Sequence, residues 1–108
     1  MTLDSWVDEI EKINQAHGWD FEPEQLPEKI ALMHSELSEA LEEFRKGHPF
    51  NHIYYSAGVK PEGIAVEMID CVIRIMHFFA KSGLSMNEVM QMKVDYNRTR
   101  SYRHGKVV

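Results

Sequence analysis

Four acidic residues form two pairs, each with the spacing of one helical turn. The first pair is Glu36 and Glu39, and the second, Glu67 and Asp70, follows after 27 intervening residues. Residues three positions apart lie on the same side of a helix, so two neighbouring helices would bring four carboxylates together. Four hard oxygen donors suit Mg²⁺ or Mn²⁺ better than Zn²⁺. A Glu-x-x-Glu pair alone is common on surface helices, so only the set of four indicates a metal site.

The second pair lies in the most apolar stretch of the chain, IAVEMIDCVIRIMHFFA, residues 64–80. Its four polar residues are spaced by three, four and three positions and share one helical stripe: Glu67, Asp70, Arg74 and His77. A helix that is apolar on its other sides must be buried on most sides, which places two carboxylates in a core. Because unpaired buried carboxylates are costly, a cation is needed beside them. Arg74 and His77 could supply part of that charge, and a divalent metal is the alternative.

The C-terminal segment carries the opposite charge. Residues 93–106 contain five Lys or Arg against one Asp, a balance of +4, whereas the rest of the chain balances to −9. Four side chains with helical spacing run along this segment: Lys93, Asn97, Arg100 and His104. Such a stripe could face the phosphates that Mg²⁺ bridges, or it could be a solvated helix end whose basic residues suit the helix dipole. Binding to a nucleic acid is disfavoured, because the acidic majority would repel a long polyanion.

Four helices are predicted to position these groups. The first spans Thr2 to His17 and the second Pro27 to Lys46; the third contains residues 64–80, and the fourth opens at Ser85 with a capping box to Glu88. The predicted core face of the first helix is Trp6, Ile10 and Ile13. That of the second is Ile30, Met33, Leu37, Leu41 and Phe44. Glu42 and Glu43 are predicted to be a solvated acidic surface.

The connections between the helices contain aromatic and histidine residues. Trp19 and Phe21 could stack on a base, but closing a small helical core is the favoured role. Residues 47–63 are predicted to be a loop with room for a short strand. His48 and His52 in that loop permit a zinc site, which we disfavour because a loop gives this spacing no fixed geometry.

Length and composition predict one soluble domain over residues 1–108. The 44% hydrophobic and 27% charged contents are ordinary for a globular protein. The acidic N-terminal segment does not resemble a signal peptide, and no 18-residue run lacks charge, so we expect a cytoplasmic protein without a membrane partner. The single Cys71 cannot form an intramolecular disulfide and is expected to be a small buried hydrophobe.

Three stretches of the chain resemble the MazG-like, all-α nucleoside triphosphate pyrophosphohydrolases. They are HSELSEALEEFR (34–45), KPEGIAVEMIDCVIRI (60–75) and KVDYNRTRSYRHGK (93–106), in the family's order and with similar spacing. The resemblance implies a four-helix bundle completed by a homodimer or homotetramer. It also implies Mg²⁺-dependent attack of water on a nucleoside triphosphate, with the monophosphate and pyrophosphate as products.

The resemblance also assigns roles to residues. By motif position, the metal ligands look like Glu36, Glu39, Glu67 and Asp70. The phosphate-contacting residues look like Lys93, Asn97 and Arg100. Glu39 or Glu36 is the expected proton acceptor, and Mg²⁺ the expected cofactor, with Mn²⁺ as a substitute. Ser101 stands where the family often has Pro, and the family's variable base-recognition region implies no base preference for this chain.

Two alternatives to a nucleotide-pool house-cleaning enzyme stay open. The related phosphoribosyl-ATP pyrophosphohydrolases share the helical outline and the use of carboxylates to hold the metal. A non-catalytic oligomerisation or regulatory module would instead pair Glu67 and Asp70 with Arg74, Lys93 or Arg100. In each case, we expect at least a homodimer. A helix over residues 64–80 is apolar on almost every side, and a single four-helix bundle would leave one of those sides exposed to solvent.

Overall fold

The computed structural model describes residues 1–100, and its helices follow the predicted order. The four α-helices are α1 (Leu3–Ala16), α2 (Leu26–Arg45), α3 (Ile64–Ser82) and α4 (Met86–Thr99). A single turn of 3₁₀ helix, Pro23–Gln25, leads into α2, and two short strands, β1 (Tyr54–Ser56) and β2 (Lys60–Glu62), lie between α2 and α3. The prediction of a mostly helical protein is confirmed. In the described residues, none of the helices has the length and apolar character needed to cross a membrane.

Local side-chain chemistry accounts for several helix ends. Thr2 caps α1 by accepting a hydrogen bond from the Ser5 backbone N–H at 3.0 Å, and Ser85 caps α4 by accepting from Glu88 N–H at 3.1 Å. Gly83 ends α3 in the left-handed conformation, with φ 74°. These ends lie close to the predicted ones because caps depend on residues within one turn.

The strands form an antiparallel hairpin that leads the chain into α3. Tyr54 pairs with Glu62, and Ser56 pairs with Lys60. Gly63 follows with φ 131°, and a Cβ at this position would collide with the backbone oxygen of His52. Only glycine fits both the angle and the close approach, so Gly63 determines how the chain enters α3.

The apolar core lies between α1, the C-terminal half of α3 and the start of α4. Four buried residues form its centre: Val7, Ile10, Met76 and Met86. Partly buried apolar side chains surround them, contributed mainly by α3. Cys71 is buried and carries a free thiol, as expected. In the described residues no large side chain is completely buried, which is a thin core for a chain of this length.

The predicted core faces of α1 and α2 are only partly buried in the single chain. On α1, the predicted Ile10 is buried, whereas Trp6 and Ile13 are about half exposed and the helix buries Val7 and Asn14 in addition. On α2, the predicted core residue Met33 is buried, but four others form an exposed line that we call the α2 stripe: Ile30, Leu37, Leu41 and Phe44, with exposed fractions of 40%, 44%, 47% and 64%. Both helices have more apolar positions than one chain can cover, so packing against α3 decides which of them are buried.

In the single chain, part of the apolar surface of α3 is exposed, and its expected burial on nearly all sides would require a second copy. Met68 and Ile69 are exposed by 47% and 54%, whereas Glu67 and His77 from the polar stripe are buried. The polar stripe of α3 therefore faces the interior, next to α2 and α1, and part of its apolar surface faces solvent. Covering that surface would take an additional element.

Asp4 joins the start of α1 to the start of α4. Its carboxylate accepts hydrogen bonds from the Ser85 hydroxyl at 2.6 Å and from the Asn87 backbone N–H at 3.1 Å. In return, the Asn87 side-chain oxygen accepts from the Leu3 backbone N–H at 3.2 Å. The first of these bonds is the main reason that the pKa of Asp4 lies below its usual value.

We expect Asp4→Asn to lower the melting temperature, because the amide loses the charge and one of the two acceptor oxygens. The wild-type advantage should be present at neutral pH and disappear as the pH falls through the depressed pKa of Asp4, since the carboxylate is then protonated. Thermal unfolding at pH 7 and at pH 3 measures both effects. The control is Asp8→Asn, on an exposed position of α1. Equal melting temperatures of the two variants at pH 7 would contradict this role.

Candidate metal centre and adjoining cleft

Three of the four predicted metal ligands converge where α2 packs against α3. Glu36, Glu67 and Asp70 each offer a carboxylate oxygen, and these oxygens all lie within 4.8 Å of one another. Glu67 is buried, and the other two are partly buried. Glu39, one turn after Glu36, is exposed beside this group. The one-turn spacing of the two pairs thus places acidic groups from both helices at one point.

The electrostatics of the group show that its negative charge is incompletely neutralised. The pKa of Glu67 is raised to about 7, first because the side chain is buried and then because Glu39, Asp70 and Glu36 are close to it. Burial also raises the pKa of Asp70, with the charge of Glu36 as the next cause, while Arg74 opposes the shift. Each carboxylate makes the ionisation of the others more costly.

One cation partly offsets this charge. The Arg74 Nε donates to Glu36 Oε1 at 3.0 Å. In residues 1–100, neither Glu67 nor Asp70 has a Lys or Arg nitrogen within ion-pair distance. Arg74 therefore pairs with Glu36 and not with Glu67 or Asp70, the residues that the pairing alternative named, and the two α3 carboxylates have no ion pair in this part of the chain. An all-oxygen donor set with excess negative charge fits a hard divalent cation such as Mg²⁺.

A second acidic group adjoins the first, and the sequence reasoning missed it. Glu43 and Glu62 offer oxygens that, with an oxygen of Glu67, lie within 4.8 Å of one another. Glu43 is buried, so its prediction as a solvated residue is wrong, whereas Glu42 is exposed as expected. Glu43 follows Glu36 by seven residues, which is two helical turns, and this spacing was the available signal. No comparable signal marked Glu62, which the hairpin brings into place.

Aromatic and histidine side chains from the hairpin and the segment before it hold Glu43. The Tyr54 hydroxyl donates to the Glu43 carboxylate, at 2.9 Å from both oxygens, and His48 Nε2 lies 3.2 Å from Glu43 Oε2. The imidazoles of His48 and His52 stack on the Tyr54 ring, with centroid distances of 4.6 and 5.4 Å. Burial, followed by the contact with Glu43, raises the pKa of Tyr54 to about 12. Among residues 1–100, neither histidine belongs to the two groups of side chains whose ligand atoms lie within 4.8 Å of one another.

The predicted phosphate-contacting residues lie away from the carboxylates of the same chain. Lys93, Asn97 and Arg100 are exposed on α4 or at its end. The Lys93 ammonium and the Arg100 guanidinium lie 5.2 and 5.5 Å from the centre of the Tyr96 ring. None of the three lines the main cleft, and within residues 1–100 neither Lys93 nor Arg100 forms an ion pair with the candidate metal ligands. The remaining predicted features of this segment, Ser101, His104 and the basic residues up to Lys106, lie outside the described residues.

A cleft of about 610 Å³ opens beside the first acidic group. Its lining on α3 runs over two turns, from Asp70 to His77, and the facing side chains come from the other elements: Asn14, Trp19, Gln25, Lys29 and Glu36. Trp19 is 57% exposed, so the favoured prediction that it closes the core is wrong for this residue. Phe21 does close the core, being buried with its ring edge-on to His77 at 5.3 Å. The cleft size is typical of small-molecule sites.

No protein-family model, curated protein or solved structure matches this chain. The likeness to the MazG-like enzymes is therefore a likeness of three motifs. The functional conclusion depends on the geometry of the carboxylates and of the cleft beside them.

Proposed function

We propose that this protein is a Mg²⁺-dependent nucleoside triphosphate pyrophosphohydrolase, which converts a (d)NTP and water into the (d)NMP and pyrophosphate. The observation that carries the proposal is the convergence of Glu36, Glu67 and Asp70 at the edge of a cleft of about 610 Å³. Buried carboxylates without an ion pair favour a divalent cation, and triphosphates bring Mg²⁺ with them. The three motifs of the MazG-like enzymes support the same reaction.

The carboxylates have distinct tasks in this proposal. When Mg²⁺ is bound by Glu36, Glu67 and Asp70, with Glu39 beside them, it lowers the pKa of water and offsets charge on the phosphates. Glu39 is the better candidate for general base, because Glu36 already accepts a hydrogen bond from Arg74, whereas Glu39 is exposed to solvent. By holding Glu36, Arg74 keeps the carboxylate oriented towards the group.

A homo-oligomer is part of the proposal. The α2 stripe, with Met68 and Ile69 of α3, leaves a large apolar surface uncovered in the single chain. The radius of gyration is 16.5 Å, against roughly 13 Å for a compact domain of about 100 residues. A second copy would complete the core, and its α4 would bring Lys93, Asn97 and Arg100 to the carboxylates of the first. A dimer or a tetramer satisfies these requirements.

The proposed setting is nucleotide-pool house-cleaning in the cytoplasm. The phosphoribosyl-ATP pyrophosphohydrolase reaction would use the same carboxylates to hold the metal. A panel of substrates distinguishes hydrolysis of phosphoribosyl-ATP from hydrolysis of nucleoside triphosphates. A non-catalytic module would pair Glu67 and Asp70 with Arg74, Lys93 or Arg100, whereas Arg74 pairs with Glu36. Such a module should be indifferent to Mg²⁺, whereas an acidic metal site should gain thermal stability when the metal binds.

The decisive measurement is pyrophosphate release from a panel of canonical and modified NTPs and dNTPs, with Mg²⁺ or with EDTA. We expect release only with Mg²⁺, and a loss of about 100-fold or more in kcat for Glu39→Gln, because its general base is removed. Glu42→Gln is the matched control, since Glu42 is exposed on the same helix and lies in neither acidic group.

Each contrary result has its own meaning. Release that persists in EDTA would remove the metal from the reaction. Unchanged turnover in a folded Glu39→Gln variant would remove Glu39 as the base. If no nucleotide of the panel releases pyrophosphate but phosphoribosyl-ATP is hydrolysed, the protein is a phosphoribosyl-ATP pyrophosphohydrolase. If no substrate is hydrolysed, the non-catalytic helical module is the remaining alternative.

A further inference from the structure

Two side chains bring positive charge into the cleft that adjoins the candidate metal centre. Arg74 on α3 and Lys29 on α2 both line this cleft, and both belong to the same chain as the carboxylates. The predicted phosphate-contacting residues on α4 do not line it. The cleft therefore has cations of its own, to which the resemblance assigns no role.

The guanidinium of Arg74 is only partly used by the protein itself. Its Nε donates to Glu36 Oε1 at 3.0 Å, and within residues 1–100 this is the one hydrogen bond that the side chain makes. Nη1 and Nη2 carry four of the five N–H donors of an arginine, which stays protonated at every relevant pH. Because the side chain is 38% exposed and lines the cleft, a ligand in the cleft can reach it.

The two cations lie at increasing distance from the candidate metal centre. Arg74 follows Asp70 by one turn of α3, a rise of about 6 Å. Burial raises the pKa of Asp70 and the charge of Arg74 opposes this rise, so the two groups are close enough for their charges to interact. On α2, Lys29 precedes Glu36 by two turns, a rise of about 10 Å. An anion that extends from the carboxylates along the cleft would meet Arg74 first and then Lys29.

Lys29 is available to such an anion. It is partly buried and forms no ion pair within residues 1–100. Its Nζ lies 5.6 Å from the centre of the Phe21 ring. Asp20 also lines the cleft, but its Oδ1 accepts a hydrogen bond from the Phe21 backbone N–H at 2.9 Å. A partly buried ammonium without a carboxylate partner attracts an anion more strongly than one that is exposed to solvent.

We propose that Arg74 and Lys29 form a phosphate subsite within a single chain, in which Arg74 donates to non-bridging oxygens of a diphosphate or triphosphate group while its Nε holds Glu36. The inference rests on the proposed function for the cation at the carboxylates. It deepens that function by adding two substrate-contacting residues from the same chain to those that the motifs assign on α4.

The chemistry of the guanidinium allows one side chain to make both contacts. Its planar fork of donors matches the oxygens of a phosphate as well as those of a carboxylate. One edge of the fork can therefore serve Glu36 while the other serves a phosphate. A rigid group that joins a metal ligand to the substrate also fixes the distance between them, which favours reaction in one geometry.

Binding of inorganic pyrophosphate measures this subsite without a base, a sugar or bond cleavage. Calorimetric titration at saturating Mg²⁺ gives the Kd for the wild type and for Arg74→Met, in which an unbranched apolar side chain removes the donors. We expect the Kd to rise by about 10-fold or more, because charge-assisted hydrogen bonds are lost. Lys29→Met should raise it by a smaller factor. Arg45→Met is the matched control, since Arg45 pairs with Glu42 on the same helix as Lys29 and does not line the cleft.

A Mg²⁺ titration without phosphate separates a phosphate contact from mere support of Glu36. If Arg74 contacts phosphate, Arg74→Met should bind Mg²⁺ at least as tightly as the wild type does, because a cation beside the carboxylates is removed. If Arg74 acts only by orienting Glu36, Mg²⁺ binding should weaken, while pyrophosphate binding at saturating Mg²⁺ stays unchanged. That result would overturn the subsite. Should Arg74→Met fail to fold, Arg74→Lys keeps the charge but not the fork, and it should also weaken pyrophosphate binding.

The outcomes separate the subsite from the reaction. An unchanged pyrophosphate affinity in the folded Arg74 variants overturns the subsite even if Mg²⁺-dependent hydrolysis of nucleotides is found. The absence of pyrophosphate binding by the wild type at millimolar concentration overturns it as well, and an unchanged affinity in Lys29→Met removes Lys29 from it. Pyrophosphate binding that depends on Arg74, in a protein that hydrolyses no nucleotide, supports the subsite and contradicts the proposed reaction.

Discussion

Glu67→Gln should abolish hydrolysis and also make the metal-free protein more stable above pH 7. Glu67 is buried and takes part in both acidic groups, so its carboxylate is central to the proposed metal centre. Losing one such charged group should lower kcat by about 100- to 1,000-fold. The neutral amide, in contrast, removes a charge that the fold carries at a cost, because burial and neighbouring carboxylates raise its pKa to about 7.

The pH dependence of this effect has a definite sign. The folded-state pKa of Glu67 lies above its ordinary value of 4.5, so the folded protein binds more protons than the unfolded chain between about pH 4.5 and pH 7. Stability of the metal-free protein should therefore fall as the pH rises through this window and stay reduced above it. The slope reports the whole carboxylate group, because neighbouring carboxylates titrate together. In Glu67→Gln, the slope should be much smaller.

Thermal unfolding in EDTA between pH 5 and pH 8 measures the two slopes, and Mg²⁺ added to the wild type should flatten its slope. Glu42→Gln, at an exposed position of α2, should behave as the wild type does. If the melting temperatures of wild type and Glu67→Gln fall in parallel as the pH rises, the pKa of Glu67 is not raised in the folded protein. A Glu67→Gln variant that still hydrolyses nucleotides would exclude it from the metal centre.

Leu41→Glu should convert the protein into an inactive but folded monomer. Leu41 lies on the α2 stripe and is 47% exposed in the single chain, so a charge is tolerated there unless a second copy covers it. Burying that charge in an interface would be costly. Sedimentation of the wild type should give a mass of at least twice 12.6 kDa, and that of the variant the single-chain mass. Activity should be lost with the oligomer, because we place Lys93 and Arg100 at the partner's carboxylates.

Ser35→Glu provides the control for this substitution. Ser35 is exposed on α2 and points away from the α2 stripe, so its variant should keep both the oligomer and the activity. A wild-type protein of single-chain mass at micromolar concentration would refute the interface. Mixing Glu67→Gln with Lys93→Ala subunits then tests the shared site, since a dimer that assembles each site from two copies should recover about a quarter of wild-type activity. Mixtures that stay inactive would assign Lys93 to the carboxylates of its own chain.

The sequence by itself determined the helices and the pairing of the carboxylates. Cap residues such as Thr2 and Ser85 act within one turn, and the one-turn spacing of each acidic pair is a local property of a helix. The polar stripe of α3 could also be predicted from the sequence, because four polar residues in an otherwise apolar helix share one side. These features need no knowledge of what the helix packs against.

Only the tertiary structure decided how each helix is rotated about its own axis. On α2, the apolar stripe was expected to be buried with Met33, but packing on α3 buried the side with Met33, Ala40 and Glu43 and left the α2 stripe exposed. The same holds for the connection after α1, where Phe21 entered the core and Trp19 stayed at the cleft. Periodicity shows that a helix has an apolar face, but where two faces compete, the choice depends on the shape and charge of the neighbouring helix.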